Sequence, residues 1–217
     1  MFDFAKARDH MVESQIRTSD VTEPAILKAF RTTQRERFVP KAKSALAYGD
    51  SHIKMNEGHI MLRPRDLAKL IDAAEIRPTD VVLDIACGRG YSTAIMAKIA
   101  DTVVGLETTD QAVDKATDLL NQADISNAAV VKAELKAGAA EHGPFNVIFV
   151  NGAVTEVPKT WMSQLADKGR LVCIVQNGPI GRGTVFTKSG GQVGERVVFD
   201  TSAPFLPGFE REVAFVF

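Results

Sequence analysis

The sequence predicts an α/β fold: a doubly wound, mostly parallel sheet with helices on both faces, a helical extension before it and antiparallel strands at its end. Three observations carry this. Short runs such as Val81-Val82-Leu83-Asp84-Ile85 are apolar almost throughout, as strands buried on both faces must be. Such runs alternate with segments of helical period, the pattern of repeated β-α units. In the tail, Ser189-Gly190-Gly191 lies between two further apolar runs, Thr184–Phe186 and Glu195–Phe199, as in a hairpin.

Residues 5–47 read as helical, since Ala7, Met11, Ile16 and the segment Pro24–Phe30 carry helix-type spacing. Thr22 ahead of Pro24 suits a helix start with proline in the first turn. Residues 48–63 have no clean period and include Gly49, Asn56 and Gly58, so they read as a long loop. Loops of that length inside compact domains are usually functional or disordered. Pro64 opens a helix whose Leu67, Leu70, Ile71 and Ala74 share one face. Then come strand 81–85, helix 91–100, strand 102–106, helix 110–121, strands 128–131 and 145–150, helix 158–165 and strand 170–175. Residues 212–217 read as a last strand. With no internal repeat and no dividing linker, residues 1–217 read as one domain: 1–63 the extension and loop, 64–217 the α/β core.

The composition is that of a soluble globular protein, 45% hydrophobic and 24% charged over 217 residues. A net charge of −1 gives no electrostatic reason to expect nucleic acid or an anionic membrane. No run of ~18 apolar residues suggests a membrane span, and the start, Met1-Phe2-Asp3-Phe4-Ala5-Lys6, does not read as a signal peptide. Two isolated cysteines, Cys87 and Cys173, make neither a disulfide framework nor a metal-binding pair. A reducing cytoplasm and no metal are expected.

The strongest site signal is Asp84-Ile85-Ala86-Cys87-Gly88-Arg89-Gly90-Tyr91, which follows a strand and opens a helix. Glycines at such a turn let backbone approach a ligand, and a helix start offers free N–H groups. Glu107, at the end of the next strand and 17 residues past Gly90, is placed to accept both hydroxyls of a ribose. A dinucleotide pattern wants a third glycine where Thr93 stands, so NAD or FAD is the weaker reading. S-adenosylmethionine is favoured, with Asp84 meeting its ammonium group. The plain structural alternative is that Asp84 caps the helix and the glycines merely turn the chain.

Several segments resemble the protein-L-isoaspartate O-methyltransferases, a Rossmann-like family. Met11–Arg17 and Gln34-Arg35-Glu36-Arg37-Phe38-Val39-Pro40 look like that family's N-terminal region. Val82–Ala94 looks like its first cofactor motif, including Tyr91 after the last glycine, with Ala86 where the first glycine is usual. Ala133-Glu134-Leu135-Lys136-Ala137-Gly138 sits where the family approaches the adenine, and Pro144–Val150 resembles the strand that follows. The resemblance implies an S-adenosylmethionine-dependent methyltransferase acting on a carboxylate of damaged protein, with a protein or peptide as substrate. It implies Asp84, Ala86, Gly88, Gly90, Tyr91, Glu107 and Glu134 as cofactor residues.

The chain departs from the family in the substrate loop, Tyr48–Pro64. Tyr48, Asp50, Gly58 and Pro64 keep the register, but the family's threonine and serine are Ile60 and Leu62 here. Leu62 cannot donate a hydrogen bond, and no catalytic residue is assigned. Lys54 and Arg63 are candidates for holding an anionic substrate and His59 for a base, with a solvated loop residue as the alternative for each. His52, Glu57 and His59 do not have a recognised metal spacing. Two further functions stay open: a methyltransferase of another substrate, and a non-catalytic cofactor-binding or regulatory protein.

Overall fold

The computed structural model describes residues 3–55 and 59–210. The strand expected at 212–217 lies outside the described residues, as do Asn56, Glu57 and Gly58.

The helical extension is broken rather than continuous. Helix α1 (Phe4–Met11) starts at Asp3, whose carboxylate accepts the Lys6 N–H. It runs through a π-turn at Val12–Ile16 and a 3-10 turn at Arg17–Ser19, and ends at Asp20, whose φ is +68°. Helix α2 (Pro24–Thr32) is capped by Glu23, not Thr22; Pro24 occupies its first turn. Short 3-10 turns at Arg35–Arg37 and Lys41–Leu46 complete the extension, Pro40 preceding the second. The segment read as a loop contains a small antiparallel hairpin of β1 (Ile53–Lys54) and β2 (Ile60–Met61). Two residues per strand are too few to leave a period in the sequence.

The core follows as α3 (Pro64–Ala73), β3 (Val81–Ile85), α4 (Tyr91–Ala97), β4 (Thr102–Glu107), α5 (Asp110–Gln122), β5 (Ala128–Lys132), β6 (Phe145–Val154), α6 (Lys159–Ser163), β7 (Leu165–Gln176), β8 (Gly181–Ser189) and β9 (Gln192–Thr201). The seven long strands form one sheet in the order β5-β4-β3-β6-β7-β8-β9. The first five run parallel; β8 and β9 turn back antiparallel, β9 after the Gly190-Gly191 turn.

Apolar residues on alternate strand positions feed two separate cores. Val82, Val103, Val147, Phe149 and Val172 face the layer of α1 to α5. Leu83, Val104, Leu106, Ile148, Val150 and Leu171 face the other side. Each such side chain contributes roughly 1.5–3 kcal/mol through its removal from water, which is why the strands read as unbroken apolar runs. The second face is thinner than a full helical layer. It is covered by α6, a 3-10 turn at Ala140–His142 and the segment carrying Leu206 and Phe209. Among the described residues, no helix is long and apolar enough to cross a membrane.

Candidate functional site

At the carboxyl end of β3 the chain turns through the left-handed region on its way into α4. Ala86, Gly88 and Gly90 all have positive φ, +56°, +61° and +87°. A Cβ at Gly88 would meet nothing within 4 Å, so that backbone borders open space; one at Gly90 would come within 3.2 Å of Leu120. Ala86 holds the left-handed conformation without being glycine, at a cost of about 1 kcal/mol.

Asp84 lies under this turn, fully buried. Ser92 Oγ and Thr93 Oγ1 donate to its Oδ2 at 2.7 and 2.6 Å, and Asn151 Nδ2 donates to Oδ1 at 2.6 Å. Burial pushes Asp84 up to about 6; the bonds from Thr93, Ser92 and Asn151 pull the other way, and the nearby Glu107 charge adds to the rise. Sequence reasoning missed all three donors. Ser92 and Thr93 stand in the sequence as part of the Val82–Ala94 motif, Thr93 also as the absent third glycine, with nothing to mark either as a donor. The signal for Asn151 is a polar residue among the apolar ones of β6.

Glu107 ends β4 and has no exposed surface. Its Oε1 accepts the Gly88 N–H at 2.6 Å and its Oε2 the Thr108 N–H at 3.2 Å. The two anchors expected from the sequence are thus joined directly. His59 Nε2 stands 3.4 Å from Glu107 Oε2, while His59 Nδ1 is buried without a partner.

Two cavities open here. One, of about 570 Å³, is bordered by Met55, His59, Gly88, Arg89 and Glu107 and by the outer side of α5. The other, of about 480 Å³, is bordered by His59, Thr108, Glu134, Leu135 and Phe209. Among the described residues, His59 alone lines both. Glu134 is exposed at the second cavity, on a stretch fixed from below by α6 and its C-terminal cap. Trp161 Nε1 donates to the Leu135 carbonyl at 2.7 Å, and the Gln164 amide bonds Ala137 and Ala139.

The other predicted residues fall outside this groove. Lys54 is exposed on β1. Arg63 is committed elsewhere: its Nε donates to the buried Asp66 at 2.7 Å and its Nη2 to Thr201 Oγ1 at 3.3 Å. His52 accepts the Arg63 N–H at Nδ1, which leaves Nε2 to donate to the Ser202 carbonyl at 2.9 Å. The Tyr91 ring packs in the helical layer beside Phe30 and Phe38, with the Arg35 guanidinium 4.7 Å from its centre. Arg35 is itself fully buried; Nε donates to the Ala47 carbonyl and Nη2 to the Leu62 carbonyl, both at 2.6 Å. Ile60 and Leu62 are buried, and their apolar side chains wall a small recess beside Arg89.

A mostly parallel open sheet, with acids at the ends of adjacent strands beside a glycine turn, defines an α/β protein of the class that holds nucleotide-like ligands at the carboxyl edge. The chain belongs to the protein-L-isoaspartate(D-aspartate) O-methyltransferase family, whose sequence profile matches residues 6–207. A protein-L-isoaspartate O-methyltransferase of Aliivibrio fischeri is 34% identical over 166 residues, 76% of this chain and 80% of that protein. A solved protein-L-isoaspartate O-methyltransferase superposes with a TM-score of 0.79 at 23% identity, over 92% of this chain and 65% of that one. A Plasmodium falciparum structure, described as such an enzyme in complex with S-adenosyl-L-homocysteine, gives 0.78 at 19% identity, over 92% and 97%. At those identities the two structures speak for the fold.

Proposed function

We propose that this chain transfers a methyl group from S-adenosylmethionine to a carboxylate of a protein or peptide, the activity that its family's name describes. The observation that carries this reading is the bond from the Gly88 N–H to Glu107, at the edge of two adjoining cavities. The residues suit the cofactor: open backbone at Gly88, an acceptor pair at Glu107, and Glu134 at the second cavity. Asp84, Ala86, Gly88, Gly90, Glu107 and Glu134 would hold it. Asp84 acts through the hydroxyls and amide that fix the turn, and Tyr91 through its packing on Arg35.

Bound S-adenosylmethionine supplies a methyl group already activated by its sulfonium. The chain then needs mainly to position the acceptor and exclude water. An ionised carboxylate requires no general base, so no side chain is given a proton-transfer role. In this reading residues 1–217 work as one unit, 64–217 holding the cofactor and 1–63 flanking the acceptor. The buried, unpaired Cys87 and Cys173 support a reducing compartment, the cytoplasm.

A second reading keeps the cofactor but changes the acceptor, or drops transfer and leaves a binding protein. Ile60 and Leu62 favour it, because both are buried and carry no hydroxyl. Calorimetric titration of S-adenosylmethionine, followed by methyl transfer to an isoaspartyl peptide, separates the two. Binding with transfer supports the first reading. Binding without transfer supports the second. No binding at millimolar cofactor would reject both.

A further inference from the structure

Arg89 stands between the two glycines of the turn. Its half-buried side chain lines the larger cavity beside His59 and Glu107, and also the small recess walled by Ile60 and Leu62. Its Nε is buried and has no hydrogen-bond partner. Burial pushes its guanidinium below the ordinary value, and among the described residues no carboxylate offsets the loss of water. Glu107, Asp114 and Asp118 border the same cavity, but none of them supplies that offset. A guanidinium does not shed its proton to escape this cost. A buried N–H without an acceptor is a standing penalty, and the guanidinium that carries it belongs to a side chain bordering the cavity. The planar fork of arginine matches a carboxylate in two parallel bonds. Ile60 and Leu62 add no hydroxyl to the recess beside it, and of the hydroxyls that do line it, the Ser92 one is spent on Asp84.

We infer that Arg89 binds a carboxylate entering the larger cavity, either the aminoacyl carboxylate of the cofactor or the carboxylate of the acceptor. The inference rests on the methyl-transfer reading above, in which both reactants carry that group.

The test is calorimetry on wild type, Arg89→Met and Arg89→Lys with three probes: S-adenosylhomocysteine, 5′-methylthioadenosine, which lacks the aminoacyl end, and an isoaspartyl peptide added to the S-adenosylhomocysteine complex. If the cofactor carboxylate is the partner, Arg89→Met weakens S-adenosylhomocysteine roughly ten- to hundredfold and leaves methylthioadenosine unchanged. Arg89→Lys, which keeps the charge but not the fork, falls between. If the acceptor carboxylate is the partner, both nucleosides bind as before and the peptide weakens about tenfold or more. Unchanged affinity for all three probes would overturn the inference. A wild type that binds no S-adenosylhomocysteine would instead overturn the reading beneath it, and the inference would fall with it.

Discussion

His59 Nε2 stands 3.4 Å from Glu107 Oε2, and the carboxylate it approaches has no exposed surface. His59 also divides the groove into its two cavities. A ribose diol that uses Glu107 must displace this ring. Replacing His59 with alanine is expected to tighten S-adenosylhomocysteine by roughly two- to tenfold, because that displacement cost disappears. Glu107→Gln, which loses the charged acceptor, is expected to weaken it about tenfold or more. Calorimetry reads both. If His59→Ala weakens binding instead, His59 contacts the ligand and is not a partition.

Asp84 gives a dependence on pH whose sign is fixed. Burial lifts it from the ordinary 3.8 to about 6, so the folded state holds this proton more tightly than the unfolded chain. The contribution is fully present below the unfolded value and is lost as pH rises through the folded one. Across that window wild type should lose on the order of 3 kcal/mol relative to Asp84→Asn, which does not titrate. Urea denaturation of both proteins between about pH 4 and pH 7.5 checks this. Parallel stability profiles would mean that Asp84 titrates normally.

Restoring the loop hydroxyls tests the acceptor directly. Leu62 is 1% exposed, so Leu62→Ser should cost roughly 2–4 kcal/mol of stability from lost burial and the cavity left behind. Ile60→Thr, near the groove, should cost less. If the proposed substrate is right, the double variant should methylate an isoaspartyl peptide faster than wild type once both are shown to be folded. An equal or lower rate would say that the loop uses other groups, and would favour a different acceptor.

The Arg63 and Asp66 pair predicts how the loop is anchored. Asp66 is fully buried, and its Oδ2 accepts from both Arg63 and Thr201. Arg63→Ala is expected to destabilise the protein by roughly 1–3 kcal/mol, since it strips a buried carboxylate of its nearer cation and leaves only Arg65, at 3.9 Å. It should also raise the rate of protease cleavage within 48–63. Unchanged stability would show that Thr201 and the His52 bond suffice.

The central strands β3, β4, β6 and β7 were legible because burial on both faces forces apolar runs between turns, and the more exposed β5 and β9 through their β-branched residues. The glycine turn and Glu107 were legible for a related reason: chemistry at a strand end needs residue types that stand out from aliphatic neighbours. What stayed hidden was pairing across the chain. Nothing near residue 84 says that Asn151 will reach it, and nothing near residue 63 says that Thr201 will. Arg63 has the residue type of an anion-binding group, yet its partner is internal. The broken extension was hidden too, because helix-type spacing persists through π- and 3-10 turns, whose hydrogen bonds reach one residue farther or one residue less than an α-helix's.

Arg35 binds the carbonyls of Ala47 and Leu62, which flank the loop at either end. One guanidinium therefore works as a clasp. It pins both ends of a stretch that is also held from within, since Ile53, Ile60 and Met61 pack into the core. Losing that clasp would free both ends together, and with them the footing of His59 beside Glu107.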